Sequence, residues 1–432
     1  MKTLRITGWF IIVCLLVIVI ILWFLSPAIQ PRFDNLAHTS VTLGQLLGLV
    51  GILLLAINFI ISTRSRFIDW IFYGLNNAYK KHDQIGQLAL IFLIFHPFFL
   101  LPKYASDLPS VAKFLWFSSD WAINFGILAL WAFVILVILT LYARPKYHIW
   151  KWTHKLMGPA FLLGVFHVWL IPSDTAHFLP LRIYVLTVAS VGFMAYLYRS
   201  LLSAFLIKKY QYIVARVTNL NKDIVELELE PKHESMKFRA GQFVFLNLKS
   251  TKHSSESHPF SLSSSPRDNN LRITIKKSGD YTNHIDTIET GTVAELEGPF
   301  GKFSHKNATH RRQIWIAGGI GVTPFLSMAR TLTKNSDFTI YLIYCVRNNA
   351  EAVHLDTLKN IAESTNGRLQ IMPFYSKDNG YITAEKTHKL CGNLNDTNIF
   401  ICAPPQMISS LRKQFINSGV DKRYIHSEEF NF

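Results

Sequence analysis

The sequence predicts a chain of two natures. Residues 1–210 form a bundle of six membrane-spanning helices, and a water-soluble half follows, with a β-barrel at 211–308 and an α/β domain at 309–432. Three observations carry this fold class, membrane α followed by soluble β and α/β. Long apolar runs fill the first 207 residues and then stop. From Tyr212, apolar and polar residues alternate in short stretches parted by turn residues, as antiparallel strands do. Past Gln313, an apolar strand, a glycine loop and a helical run follow in turn, as in a parallel α/β unit.

Six apolar stretches can be drawn, at about 8–26, 41–62, 84–102, 121–142, 153–171 and 180–207. The first outruns a signal peptide and ends in Ser26-Pro27-Ala28 without a small-x-small cleavage site, so it reads as a retained helix. A net charge of +16 would suit nucleic acid in a soluble protein. Here much of it lies between apolar stretches, where lysine and arginine set topology, so the partner is a lipid membrane and not nucleic acid. Lys2, Arg5, Arg64, Arg66, Lys80, Lys81, Arg144, Lys146, Lys151, Lys208 and Lys209 fall on one side. The other side has Arg32, then Lys103 and Lys113 offset by Asp107. Both termini are therefore expected in the cytoplasm. The four cysteines show no paired spacing, so no disulfide framework or zinc site is indicated.

That topology runs stretches three and five in the same direction. His82 and His96 are 14 residues apart, and His154 and His167 are 13 apart. Each pair spans roughly 20 Å of helix. His82 is thus expected to meet His154 near the inner membrane face, and His96 to meet His167 near the outer one. Ionisable residues inside membrane spans are costly and mark function. Two imidazole pairs suit two haems, with both axial positions of each iron filled, an arrangement for electron transfer. His38, His148 and His177 read as loop residues. One point resists: on a regular helix a 13-residue step misses the same face by about 140°. Gly158-Pro159 and Gly164 lie between His154 and His167, so a distortion is expected there.

In the soluble half, the strands are expected at Tyr212–Asn219, Ile224–Leu229, Phe243–Leu248, Leu271–Ile275 and Thr292–Glu297. The loop His258-Pro259-Phe260-Ser261-Leu262-Ser263-Ser264-Ser265-Pro266 lies among them. Lys276, Gly279 and Thr282 follow a strand where they could hold a pyrophosphate, and Gly298-Pro299-Phe300-Gly301 reads as a tight turn. The strand Gln313–Ala317 leads into Gly318-Gly319-Ile320-Gly321-Val322-Thr323-Pro324 and a helix. Bare backbone amides at a helix N-terminus make an anion site, and Pro324 suits a first helical turn. Arg347 follows the strand Thr339–Cys345, where a basic side chain can meet a 2′-phosphate. The strand Asn398–Ile401 leads to Cys402-Ala403-Pro404-Pro405-Gln406-Met407.

In this combination the chain resembles the ferric reductase and NADPH oxidase superfamily, its compact bacterial members in particular, over essentially its whole length. The resemblance rests on the histidine spacings, HPFSLSSSP (258–266), GGIGVTPF (318–325), CAPPQM (402–407) and the aromatic end EEFNF (428–432). It implies a ferredoxin-reductase-like FAD barrel, with Ser261 at the flavin ring edge and His258, Pro259 and Phe260 shaping its site. It implies that Lys276, Gly279 and Thr282 hold the FAD pyrophosphate, and that Gly319, Gly321, Thr323 and Pro324 take the nicotinamide dinucleotide. Arg347 would favour NADPH over NADH, Cys402 would lie by the nicotinamide, and Phe430 or Phe432 would cover the flavin. The implied cofactors are FAD, NADPH (or NADH) and two haems of type b. A nicotinamide gives two electrons as hydride and a haem takes one, so a flavin belongs between them.

The implied acceptor lies outside the cytoplasmic membrane of a bacterium: oxygen yielding superoxide, or a ferric complex. An extracytoplasmic partner enzyme, and a transporter with a nucleotide-sensing domain, are the further alternatives, and no obligatory protein partner is evident. The chain departs from the eukaryotic oxidases in one place. They carry a second histidine four residues beyond the outer haem ligand, where this chain has Leu100.

Overall fold

The computed structural model describes residues 4–104, 111, 116–143, 145–250 and 256–429. Phe430 and Phe432, and the loop charges Lys2, Asp107, Lys113 and Arg144, lie outside the described residues. The chain divides into two compact units, Met1–Ile207 and Lys208–Phe432.

The first unit is helical: α1 (Leu4–Leu25), α2 (Leu36–Ile61), α3 (Arg66–Ile71), α4 (Leu75–Leu100), α5 (Trp121–Ile138), α6 (Tyr147–Lys155), α7 (Met157–Leu170), α8 (Asp174–His177) and α9 (Leu179–Ser200). Among the described residues five segments are long and apolar enough to cross a membrane, Gly8–Leu25, Leu36–Ile61, Leu75–Lys103, Trp121–Ala143 and Leu179–Ser200. The fifth expected span, 153–171, is instead broken at Leu156 between α6 and α7. Pro159 explains the break: it lacks an amide hydrogen, and its ring crowds the carbonyl four residues back, at Lys155. The break also removes the 13-residue misfit between His154 and His167.

α2 forms the centre of this unit. Residues Leu49–Asn58 are all buried, as expected of a helix that is apolar on every side. It packs against α4 and α9, and a Cβ added to Gly192 of α9 would come within 2.6 Å of the Ala56 Cα. α4 begins at Leu75 rather than near 84 and so takes in His82; its 26 residues reach about 39 Å, more than the hydrocarbon core. His38 lies in the first turn of α2 and His177 ends α8, so neither is a loop residue; His148 falls within α6. Arg32 is likewise no free loop charge. It is mostly buried, 2.9 Å from Asp174 and with its guanidinium 3.9 Å from the Trp23 ring, and so ties the α1–α2 connection to α8.

The second unit holds two sheets. β1 (Tyr210–Asn221), β2 (Ile224–Pro231), β3 (Phe243–Lys249), β4 (His258–Ser261), β5 (Leu271–Lys276) and β6 (Val293–Phe300) pair antiparallel in the order β4-β3-β6-β1-β2-β5. The sheet closes on itself through the Leu262–Ile273 bridge and a 2.8 Å bond from the Ser263 amide to the Arg272 carbonyl. Alternate residues such as Val225, Leu227 and Leu229 fill the barrel. Two expectations change. His258–Ser261 is a strand rather than a loop, and Gly298-Pro299-Phe300 continues β6, through a cis Gly298–Pro299 peptide, rather than turning.

The other sheet is wholly parallel: β7 (Arg312–Gly318), β8 (Thr339–Val346), β9 (Leu369–Tyr375), β10 (Thr397–Cys402) and β11 (Ile425–Glu428), in the order β11-β10-β7-β8-β9. β9 and β11 were not read in the sequence. Cores lie on both faces, one built around Phe325 and Phe400, the other around Phe415 and Ile401. The strand order reverses between β7 and β10, and in such folds ligands bind at that crevice, beyond the carboxyl ends of the strands. A polar network joins barrel and sheet: His354 Nε2 lies 3.1 Å from Thr274 Oγ1, Ser327 donates to the Ser264 carbonyl at 2.6 Å, and Arg330 to the Ser263 carbonyl at 3.1 Å. Burial pushes the His354 imidazole down to about 4, so it stays neutral in this network.

Candidate functional site

Four histidines converge in two pairs. The rings of His82 and His154 lie 6.1 Å apart between centroids, and those of His96 and His167 lie 6.3 Å apart. Each pair joins α4 to the α6–α7 segment, as the helix directions require. Three of the four rings are oriented by the backbone of a neighbouring helix. His96 Nδ1 is 2.7 Å from the Gly44 carbonyl, His167 Nδ1 is 2.7 Å from the Ala122 carbonyl, and His82 Nδ1 is 3.2 Å from the Asn58 carbonyl. A carbonyl only accepts, so each Nδ1 carries the hydrogen and each Nε2 keeps its lone pair for a metal. Asn58 and Gly44 are as far apart along α2 as His82 and His96 are along the antiparallel α4. His154 differs: its buried Nδ1 has no hydrogen-bond partner among the described residues, and its ring stacks on Trp150 at 5.2 Å.

These pairs fit a haem. With a metal–imidazole bond of about 2.0 Å and a ring nitrogen about 1.1 Å from its centroid, two rings on opposite sides of one iron sit roughly 6.2 Å apart. On a tetrahedral ion the same rings would be roughly 5 Å apart. Among the described residues no three His, Cys, Asp or Glu side chains gather to hold a bare ion; a porphyrin needs only two protein ligands. Sequence reasoning found the histidines but missed Gly44, Asn58, Ala122 and Trp150. Their one legible trace was glycine within apolar stretches.

In the barrel, Ser261 ends β4 with its side chain buried and its Oγ without a hydrogen-bond partner among the described residues, an unfilled bond that a flavin ring edge would complete. Phe260 packs on the barrel core beside it, and Pro259 pairs with Phe245 across the strands. The His258 ring lies 4.2 Å from that of Tyr281, with Nε2 2.7 Å from Glu256. Lys276 is exposed at the end of β5. Gly279 has a φ of +91° and nothing within 4 Å of where its Cβ would be, which leaves bare backbone for a phosphate. Thr282 is already engaged: its hydroxyl donates to the Ser278 carbonyl and accepts from the Ser278 amide. Ser263 and Ser264 bond the parallel-sheet half through their carbonyls, so the serine-rich run divides between ligand and scaffold.

The glycine loop divides in the same way. Gly319 has a φ of +56° and open space around it. Gly321 instead packs on the turn after β10, where a Cβ would fall 2.1 Å from the Cys402 carbonyl oxygen. Thr323 donates to the Ile320 carbonyl at 3.1 Å, and Pro324 lies in the first turn of the helix α10 (Val322–Ala329). Arg347 is exposed just beyond β8, with its amide donating to Glu351 and its carbonyl accepting from the backbone amide of Lys377, a second cation just past β9. Cys402 ends β10, paired in register with Glu428 of β11. Burial pushes its thiol well above the ordinary range, with the Glu428 charge adding to this. Cys345 is likewise raised to about 12 and Cys391 to about 11. At about 11, Cys391 holds roughly 100-fold less thiolate than an ordinary thiol. We therefore expect all three to resist iodoacetamide at pH 8 in the folded protein and to react after denaturation, as read by mass spectrometry.

Comparison with known proteins covers both units. Residues 47–165 match the ferric reductase like transmembrane component, 209–321 an FAD-binding domain and 315–413 an oxidoreductase NAD-binding domain. Flavohemoprotein A of Dictyostelium discoideum is 25% identical over 239 residues, 51% of this chain and 60% of that protein. The ferredoxin reductase component of 3-ketosteroid-9-alpha-monooxygenase from Rhodococcus rhodochrous is 25% identical over 222 residues, 50% of this chain and 63% of that protein. The chain thus spans under two thirds of these relatives. A flavohemoglobin from Malassezia yamatoensis, solved with bound FAD and heme, aligns over 94% of this chain and all of its own at a TM-score of 0.51 and 15% identity, a likeness of fold alone. Taken in chain order, the three domain matches give this chain the ferric reductase/NADPH oxidase-type architecture, that of an oxidoreductase whose helical unit has five segments, among the described residues, long and apolar enough to cross a membrane.

Proposed function

We propose that the chain carries electrons from cytoplasmic NADPH across a bacterial cytoplasmic membrane to oxygen outside, releasing superoxide. Residues 1–210 would form the haem domain, 211–308 the FAD domain and 309–432 the NADPH domain, with both termini in the cytoplasm. FAD, when bound, converts the two-electron hydride of NADPH into single electrons that b-type haems carry onward. The observation that carries this reading is the geometry of the histidines, two ring pairs 6.1 and 6.3 Å apart that join α4 to the α6–α7 segment.

His82 and His154 would hold the inner haem and His96 and His167 the outer one, with His82, His96 and His167 offering Nε2. Ser261 meets the flavin edge, with His258, Pro259 and Phe260 shaping the ring pocket and Phe430 or Phe432 covering it. Lys276 and Gly279 take the pyrophosphate; Thr282 shapes the turn beside it. Gly319 and the start of α10, with Thr323 and Pro324, receive the dinucleotide, and Gly321 lets the Cys402 turn close against them. Cys402, kept as a neutral thiol, packs by the nicotinamide. With a histidine offered on each side, such irons would be left without an open position, so an acceptor would meet the outer haem at its edge.

The test is NADPH-driven cytochrome c reduction by FAD-supplemented protein, with and without superoxide dismutase. Inhibition by the dismutase supports superoxide release; undiminished reduction rejects it. One observation favours a second reading, reduction of a ferric complex: Leu100 stands where eukaryotic oxidases carry a histidine, and its Cδ2 sits 2.9 Å from where a Gly44 Cβ would be. Iron-chelate reduction that persists without oxygen would establish that reading. Arg347 supports NADPH over NADH as donor. Arg347→Ala is expected to raise the KM for NADPH roughly 10-fold, the loss of one charge-assisted bond, with NADH unchanged. An equal change for both donors rejects the 2′-phosphate role.

A further inference from the structure

The outer histidines are held by the same device on two different helices. Gly44 and Gly48 of α2 face His96, and Ala122 and Gly126 of α5 face His167. In an α-helix the carbonyl of one residue points along the axis toward the residue four places on. A side chain at that later position lies across the path of any outside donor to the carbonyl. Glycine clears the path in both cases. A Cβ added to Gly48 would fall 2.7 Å from His96 Nδ1, and one added to Gly126 would fall 2.8 Å from His167 Nδ1. Each imidazole therefore reaches its carbonyl at 2.7 Å.

The inner pair lacks this device. Four residues beyond the Asn58 carbonyl stands Ser62, and the His82 bond is longer, at 3.2 Å. His154 has no Nδ1 bond among the described residues and leans on Trp150 instead.

We propose that Gly48 and Gly126 are positioning residues that make the outer histidine pair the tighter and lower-potential of two haem sites. This rests on the two-haem reading above. An Nδ1–H that donates to a carbonyl makes the imidazole a more basic ligand, and loss of such a partner costs about 10- to 100-fold in metal affinity. A more basic ligand favours ferric over ferrous iron and so lowers the potential. The outer site has two short bonds of this kind, the inner site one longer bond.

The experiment is an anaerobic redox titration of the full-length, haem-loaded protein, followed by the haem absorbance, together with haem loss to a scavenging apoprotein. The wild type is expected to titrate in two one-electron steps. Gly48→Ala and Gly126→Ala are each expected to raise the lower step alone and to speed the loss of one haem about 10- to 100-fold. Gly164→Ala, whose Cβ would meet the end of the Ile52 side chain at 3.2 Å and the Ala129 Cβ at 3.8 Å and neither histidine, is expected to change neither. A shift of the upper step alone, or of neither, in a folded two-haem variant overturns the proposal. His96→Leu and His154→Leu give an independent check should the glycine variants not accumulate. The first should keep the upper step and the second the lower; the reverse overturns the proposal. A wild type with fewer than two haems would instead reject the two-haem reading itself.

Discussion

His96→Leu protein is expected to hold one haem where the wild type holds two, and to lose reduction of the external acceptor by more than 100-fold, roughly the upper end of what even an outer-shell partner is worth. Leucine fills much of the imidazole volume, so α4 and its packing on α2 stay in place. What disappears is the Nε2 lone pair 6.3 Å, centroid to centroid, from His167, together with the 2.7 Å bond to the Gly44 carbonyl. That carbonyl remains inside the α2 hydrogen-bond ladder, so the helix is not left with an orphan group. The FAD and nucleotide sites belong to the other compact unit, so NADPH should still bleach the flavin at the wild-type rate. Haem stoichiometry by pyridine haemochrome and stopped-flow flavin reduction read the two halves separately. Retention of both haems would sink the ligand assignment, and loss of flavin reduction would show damage beyond the site.

Legibility differed between the kinds of feature. The histidine pairing could be read because topology follows from where lysine and arginine fall, and topology puts the two spans in one direction. The strands of the barrel could be read because alternation has a period of two, although β4 hid in a serine-rich run whose own side chains gave no such pattern. β9 and β11 were missed for a related reason: LQIMPFY and IHSE offer short or interrupted apolar runs that only the parallel pairing with β8 and β10 makes into strands. The break at Leu156 was half legible, since Pro159 announced a distortion without its form. Arg32 was read as a topological charge, yet it is paired with Asp174 across 142 positions of sequence, a contact no local pattern encodes. The supports of the histidines were hidden most deeply. A backbone carbonyl has no sequence identity; a glycine four residues on marks those at Gly44 and Ala122, and nothing marks the one at Asn58.

Gly321→Ala is expected to cut NADPH-dependent flavin reduction roughly 100-fold while the haem spectrum and FAD content stay as in the wild type. The backbone at Gly321 has a φ of −61°, which alanine adopts freely, so the effect is steric alone. The added Cβ would fall 2.1 Å from the Cys402 carbonyl oxygen, 2.6 Å from its carbon and 3.2 Å from the Ala403 nitrogen. None of these is the end of a flexible side chain. Cys402 ends β10, which is hydrogen-bonded on one side to β7 and on the other to β11, so it has little room to retreat. The glycine loop or the turn after β10 must therefore move. Overpacking of this sort costs about 1–3 kcal/mol of stability, which a unit of this size survives. A displacement of about 1 Å at a site of hydride transfer, however, costs on the order of 100-fold in rate. Gly319→Ala separates the two causes. Its φ of +56° strains an alanine by about 1–2 kcal/mol, but nothing lies within 4 Å of the new Cβ. If the Cys402 turn forms one wall of the nicotinamide site, Gly321→Ala must be the slower of the two in stopped-flow reduction. Equal rates would mean that strain in the loop, and not its contact with the Cys402 turn, governs hydride transfer.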